Sequence, residues 1–166
     1  VVDPGFNAIL LRSCADLADL ADILGEPDIA AISRGRVEAG VAALDALWSD
    51  YFGQFLCFDR ACGALIQSPS IGGLLAAFAP ISEKHAAGLA ARIEDLATRS
   101  TYLVPSHDPA SPEFDSLRYW RGPVWLIVNY MIADGLARAG QRDEEQAHPD
   151  DEQEPGQRKE PDPQRA

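Results

Sequence analysis

Two tryptophans, a tyrosine and two arginines fall within eight residues, Arg118-Tyr119-Trp120-Arg121-Gly122-Pro123-Val124-Trp125. Trp and Tyr each offer a flat apolar face with one polar handle, and Arg offers a planar fork of donors. Such a set suits a ligand that has both ring faces and hydroxyls, and a sugar meets that description. A core-lining helix start accounts for the same residue types, because aromatic side chains usually bury for packing. The surrounding chain has to separate the two readings.

Other groups able to do chemistry are thinly spread. Asp59, between Phe58 and Arg60, is either a second-rank ligand contact or a structural carboxylate that pairs with a neighbouring Arg or caps a helix. His85 has no neighbour at metal-ligand spacing, which makes it a surface or hydrogen-bonded structural residue. His107-Asp108 and Glu113-Phe114-Asp115 place titratable groups in one loop, where turn capping explains them as well as a site does. Cys14, Cys57 and Cys62 form an odd set without a CxxC pair, so reduced, buried thiols are expected rather than a disulfide framework or a zinc site. No P-loop, GxGxxG, HExxH, GxSxG or EF-hand pattern occurs, and neither metal nor cofactor is expected.

The elements that must position these residues are helical. Leu10, Cys14, Leu17, Ala21 and Leu24 recur at spacings of three and four, which predicts one buried helix face between an N-cap at Asn7 and a stop at Gly25. A second helix is expected from about Asp28 through Val37, Val41, Leu44 and Trp48, and the short connection folds it back as an αα-hairpin. The aromatic run 49–59 fits an extended, pocket-lining segment. Ile71 to Phe78 is a short buried helix whose small residues permit close approach, and Ser82 caps another helix with Leu89, Ile93 and Leu96 inside. Prolines at 105, 109 and 112 predict a long irregular loop. Pro123 then opens a helix, 124–138, whose apolar coverage on most sides predicts deep burial, and Gly140 closes it.

The chain is acidic, with a formal net charge of −12 over 166 residues. Nine acidic and four basic residues lie beyond Gly140, in a stretch whose only apolar side chains outside proline are Ala147 and Ala166, so residues 141–166 are expected to be a disordered tail. Net negative charge opposes contact with phosphate backbones, and nucleic acid is excluded as a partner. No run reaches the roughly 18 apolar residues that span a bilayer, and a cytoplasmic protein with no membrane partner is expected. The fold class is all-α, built of antiparallel helical hairpins.

The stretch Phe114-Asp115-Ser116-Leu117-Arg118-Tyr119-Trp120-Arg121-Gly122-Pro123-Val124-Trp125 resembles family 63 glycoside hydrolases, especially their mannosylglycerate-hydrolase-like branch. It is similar as well to the corresponding segment of trehalases and related (α/α)₆ toroid α-glycosidases. Phe6 to Leu10 and Trp48 to Asp59 resemble further family segments, so the likeness covers residues 1–140. It implies a partial (α/α)₆ toroid in which Tyr119 and Trp120 contact a sugar, with Arg121 and Trp125 extending that wall. It also implies an inverting α-glycosidase acting on a glucoside, mannoside or mannosylglycerate-like substrate. The alternative is a catalytically inactive carbohydrate-binding or helical protein-interaction module.

Inversion needs a carboxylic acid and a carboxylate about 6.5–9.5 Å apart. The family's general acid belongs to a Trp-Asp-Asn-Ser-like motif expected upstream of Val1, and its general base to an aromatic-rich segment after the YWRGP helix. Glu144, Glu145, Glu152, Glu154 and Glu160 occupy that later position without apolar surroundings, and none is assigned the role. The chain is accordingly expected to be part of a longer glycosidase and inactive in isolation, with no catalytic residue of its own identified.

Overall fold

The computed structural model describes residues 1–140, so the acidic segment expected at 141–166 lies outside the described residues. Helix α1 spans Pro4–Leu24. Asp3 caps it, its Oδ1 accepting from the Phe6 amide at 2.8 Å, and Pro4 takes the first helical position, where a missing N–H costs nothing. The helix therefore starts a turn earlier than expected, and Asn7 is not the cap but lies inside, donating to the Asp3 carbonyl at 2.7 Å. Gly25 stops the helix at φ 73°, a left-handed conformation that glycine takes without steric cost.

Helix α2, Pro27–Asp45, folds back along α1 as expected, with an exposed ion pair between Arg34 and Asp22 across the hairpin. It ends before Trp48, which belongs instead to a small antiparallel hairpin of β1 (Trp48–Ser49) and β2 (Gln54–Phe55). A second hairpin follows, β3 (Phe58–Asp59) with β4 (Ala64–Leu65), and Phe58 also bridges to Val2. The extended segment expected at 49–59 is thus one tight hairpin and the first strand of a second. Cys62 falls in the second turn and is exposed, whereas Cys14 and Cys57 are half-buried; all three are free thiols. Partial burial, followed by the neighbouring Asp3 carboxylate, pushes the Cys57 thiol up to about 11 and keeps it protonated.

The centre of the molecule is the stretch from Ile71 to Ala79, formed by α3 (Ile71–Leu74) and a 3₁₀ turn (Leu75–Phe78), almost entirely buried. Helix α1, β2 and helix α5 (Leu126–Arg138) all lie against it. Helix α4, Glu83–Ala97, is capped by Ser82 as expected and buries Leu89 and Leu96. His85, in its first turn, is structural. Its ring stacks on Trp48 at 4.6 Å between centroids, and its Nδ1 lies 3.1 Å from Asp45 Oδ1 without the alignment of a hydrogen bond. Residues 98–125 hold no helix or strand, only bridges from Ser70 to His107 and from Pro105 to Val124.

Two helix faces depart from the sequence pattern. On α1 the buried residues are Pro4, Gly5, Ala8, Leu11, Ala18 and Ala21, while Leu10, Leu17 and Leu24, expected inside, are exposed. On α5, Val128, Ile132 and Gly135 are buried, but Leu126, Ile127 and Tyr130 stand in solvent, and the helix begins at Leu126 rather than Val124. Backbone proximity explains the first. Small side chains let helices approach closely, so the narrow Gly and Ala stripe of α1 faces the core and its larger leucine stripe faces away, whereas α5 turns Val128 and Ile132 inward and approaches closely only at Gly135.

Gly135 shows how tight this is, because a Cβ there would lie 2.1 Å from the Ala77 carbonyl oxygen. Gly35, in α2, meets nothing within 4 Å. Urea unfolding should therefore separate the two sites: Gly135→Ala is expected to lose ~1–3 kcal/mol by overpacking, and Gly35→Ala to gain ~0.5–1 kcal/mol from helix propensity.

Candidate functional site

Tyr119, Trp120 and Trp125 gather into one aromatic cluster. Ring centroids are 5.4 Å apart for Tyr119 and Trp120, 4.4 Å for Tyr119 and Trp125, and 5.5 Å for Trp120 and Trp125. Trp125 is half-buried and donates its indole N–H to the Tyr119 carbonyl at 3.0 Å, which locks its ring in place. Tyr119 and Trp120 are 65% and 54% exposed, and among the described residues neither the phenol hydroxyl nor the Trp120 indole N–H has a partner. The result is two open aromatic surfaces with free polar handles, backed by a third ring whose handle is in use.

The backbone beneath the rings is a closed loop. The Asp115 amide donates to the Arg121 carbonyl at 2.8 Å, the Arg118 amide to the Asp115 carbonyl at 3.0 Å, and the Arg121 amide to the Arg118 carbonyl at 3.0 Å. Gly122 is required where this loop closes, since a Cβ would meet the Asp115 carbonyl oxygen at 2.3 Å. Arg121 donates Nε to the Glu113 carbonyl at 2.8 Å, so part of its donor fork is structural and the Nη groups remain for other partners. Arg118 is exposed and faces the Asp115 carboxylate at 3.5 Å.

Two anchors join this loop to the helices. Asn129, on α5, donates to the carbonyls of Val104 and Trp125 and accepts from the Val104 amide, at 2.9–3.0 Å. Sequence reasoning passed over this residue. Its signal was a single carboxamide in the apolar run Leu126-Ile127-Val128-Asn129-Tyr130-Met131-Ile132, which has to be paired once partly buried. Asp108 is the other anchor, held at 2.5 Å by Arg92 of α4 with Arg99 at 3.4 Å. Burial opposes ionisation of Asp108, but the Ala110 amide, the Arg92 hydrogen bond and the two arginine charges outweigh it and keep its pKa below the ordinary value.

The remaining candidates separate from the cluster. Asp59 sits in the β3–β4 hairpin, where its Oδ1 accepts from the Ala61 amide at 2.8 Å; that bond, and then Cys62, lower its pKa. No hydrogen bond or ion pair among the described residues links it to 118–125. Glu113 accepts a hydrogen bond from Ser68 at 2.8 Å, and Asp115 accepts one from the Leu117 amide at 3.0 Å. Both carboxylates nearest the wall are thereby engaged in holding the loop. Among the described residues no group of three His, Cys, Asp or Glu is placed to hold a metal ion, and no helix is long and apolar enough to cross a membrane.

This mostly helical chain with its aromatic wall is similar to solved glycoside hydrolases of family 63. The crystal structure of a GH63 mannosylglycerate hydrolase from Thermus thermophilus in complex with Tris superposes with a TM-score of 0.76 at 40% identity, covering 84% of this chain and 33% of that one. Curated relatives agree, each match covering 84% of this chain: a mannosylglycerate hydrolase of Thermus thermophilus is 42% identical over 141 residues, and mannosylglycerate hydrolase MGH1 of Selaginella moellendorffii is 37% identical over 145. The model of the mannosylglycerate hydrolase MGH1-like glycoside hydrolase domain matches residues 1–157, and the chain belongs to that family. The match runs past Gly140 into the acidic segment. The chain spans about a third of the length of these curated relatives, 34% and 29%.

The Asp108 anchor generates a pH dependence. Its folded pKa is below the unfolded one, so its contribution is present above the ordinary carboxylate range and is lost as pH falls through the folded value, below about pH 4. Melting followed by circular dichroism should show the wild type losing stability in that window, while Asp108→Asn starts lower at neutral pH and loses less on acidification.

Proposed function

We propose that residues 118–125 form the sugar-contacting wall of an inverting α-glycosidase acting on a glucoside, mannoside or mannosylglycerate-like substrate. The observation that carries this reading is the pair of exposed rings with unused polar handles, Tyr119 and Trp120, in a chain 42% identical to a mannosylglycerate hydrolase. In this reading Trp120 presents its face to the sugar ring and Tyr119 its hydroxyl. The half-buried Trp125 stiffens the wall, and the Nη donors of Arg121 address a hydroxyl or carboxylate. A carboxylate on the ligand fits the Thermus mannosylglycerate hydrolase, which has been crystallised with D-glycerate and, separately, with glucose. Asp59 is left out, because its carboxylate serves its own hairpin turn.

Hydrolysis would need a general acid and a general base flanking the glycosidic oxygen. Glu113 and Asp115 already hold the loop, and no other described carboxylate bonds to the wall. The proposed division is therefore that this chain supplies binding surface while the acid and the base come from elsewhere in a longer enzyme. A second reading, a helical protein-interaction module, draws support from the exposed Leu10, Leu17, Leu20 and Leu24 on one side of α1.

Tryptophan fluorescence titrated with mannosylglycerate tests the first reading. A saturable change is expected in the 166-residue chain and its loss in Trp120→Ala, with no release of product from mannosylglycerate or nitrophenyl glycosides. An unchanged titration in Trp120→Ala would sink the wall as a sugar contact. A monodisperse monomer in light scattering would count against the interaction module.

A further inference from the structure

We propose that Ser106 is a positioning residue for the aromatic wall, setting its geometry through the Gly122 amide, an inference that rests on the reading of that wall as a sugar contact. Ser106 is fully buried. Its Oγ accepts from the Gly122 amide at 2.9 Å, its own amide donates to the Pro123 carbonyl at 3.0 Å, and its carbonyl accepts from the Ile71 amide at 3.1 Å. One small residue thus ties the buried 71–79 stretch to the turn that lies between Trp120 and Trp125.

A second route runs parallel to the first. His107, 5% exposed, places Nε2 3.1 Å from Ser111 Oγ and 3.6 Å from Glu113 Oε2, and Ser68 donates to that same carboxylate at 2.8 Å. The Glu113 carbonyl in turn accepts from Arg121 Nε. Both routes begin at residues 68–71 and end at residues 121–123, on either side of the point where Gly122 packs against Asp115. Removing the Ser106 hydroxyl leaves a buried amide without an acceptor, a cost the turn can escape only by moving. Movement of Gly122 carries Trp120 and Trp125 with it, because they are two and three residues away.

Tryptophan replaced by 5-fluorotryptophan gives a direct readout in the full chain, with the resonances of Trp48, Trp120 and Trp125 assigned by single Trp→Phe variants. Without ligand, Ser106→Ala should displace the Trp120 and Trp125 resonances and leave Trp48 in place. Ile93→Val, which only trims packing of α4, should move none of the three. With mannosylglycerate, the affinity of Ser106→Ala should fall about tenfold, the scale of one lost buried hydrogen bond. Unmoved Trp120 and Trp125 resonances in Ser106→Ala, or equal displacement by Ile93→Val, overturn the positioning role. Absence of any sugar-dependent change in the wild type overturns the sugar reading instead, and a ligand-free displacement in Ser106→Ala still supports the positioning role. If Ser106→Ala does not fold, hydrogen exchange in the wild type decides: the Gly122 amide should exchange much more slowly than the exposed Leu117 amide, and equal rates overturn the proposal.

Discussion

Close backbone approach to the buried stretch Ile71–Ala79 is the constraint from which the rest of the structure follows. Gly5 of α1 and Gly135 of α5 both sit where a Cβ would collide with main-chain oxygens of that stretch, at Gly72 and Ala77 respectively. Interiors are packed to crystal-like density, so such contacts tolerate no added methyl without a shift of the whole helix. They decide which stripe of each helix turns inward.

The aromatic wall inherits its place from that packing. Exposed Trp and Tyr surfaces forgo burial worth about 1.5–3 kcal/mol for each large apolar side chain, so a fold holds them open only where something else fixes the backbone. Here the fixing is polar: Asn129 from α5, Asp108 through Arg92 of α4, and Ser106, itself bonded to the buried stretch through the Ile71 amide, all hold the loop that carries Tyr119 and Trp120. Trp125 commits its indole N–H and Arg121 its Nε to holding this loop, and the Nη groups of Arg121 remain for other partners. A surface of this kind is carried on a loop and positioned by the helices packed around it.

The apolar faces left open on α1 and α5 are of a different character. Phe6, Leu10, Leu17, Leu20 and Leu24 follow one side of α1, and Leu126, Ile127 and Tyr130 stand out from α5. A closed ring of helical hairpins buries each hairpin against its neighbours, and this chain spans about a third of the length of its curated relatives. Residues that read as core in the amino-acid pattern are exposed here because the described residues contain nothing to cover them.

What was legible in the sequence was local. The αα-hairpin, the left-handed stop at Gly25, the Ser82 cap, the close-packed helix after Ile71, the irregular loop and the YWRGPVW stretch all rest on short-range rules, and the structure carries each of them. Trp48 on a hairpin rather than a helix, Asp3 rather than Asn7 as the cap, and the inward stripe of α1 were not legible, because each depends on which neighbouring backbone arrives. Periodicity determines that a face is apolar, but it cannot rank a stripe of leucines above a stripe of alanines when the distance between helices is unknown. Residue types alone made the stretch holding Tyr119, Trp120, Arg121 and Trp125 a candidate sugar contact and left a core-lining helix start equally open. Only the tertiary structure decided that Trp125 and part of Arg121 are spent on holding the wall, since a hydrogen-bonding group can be free or engaged according to what folds beside it.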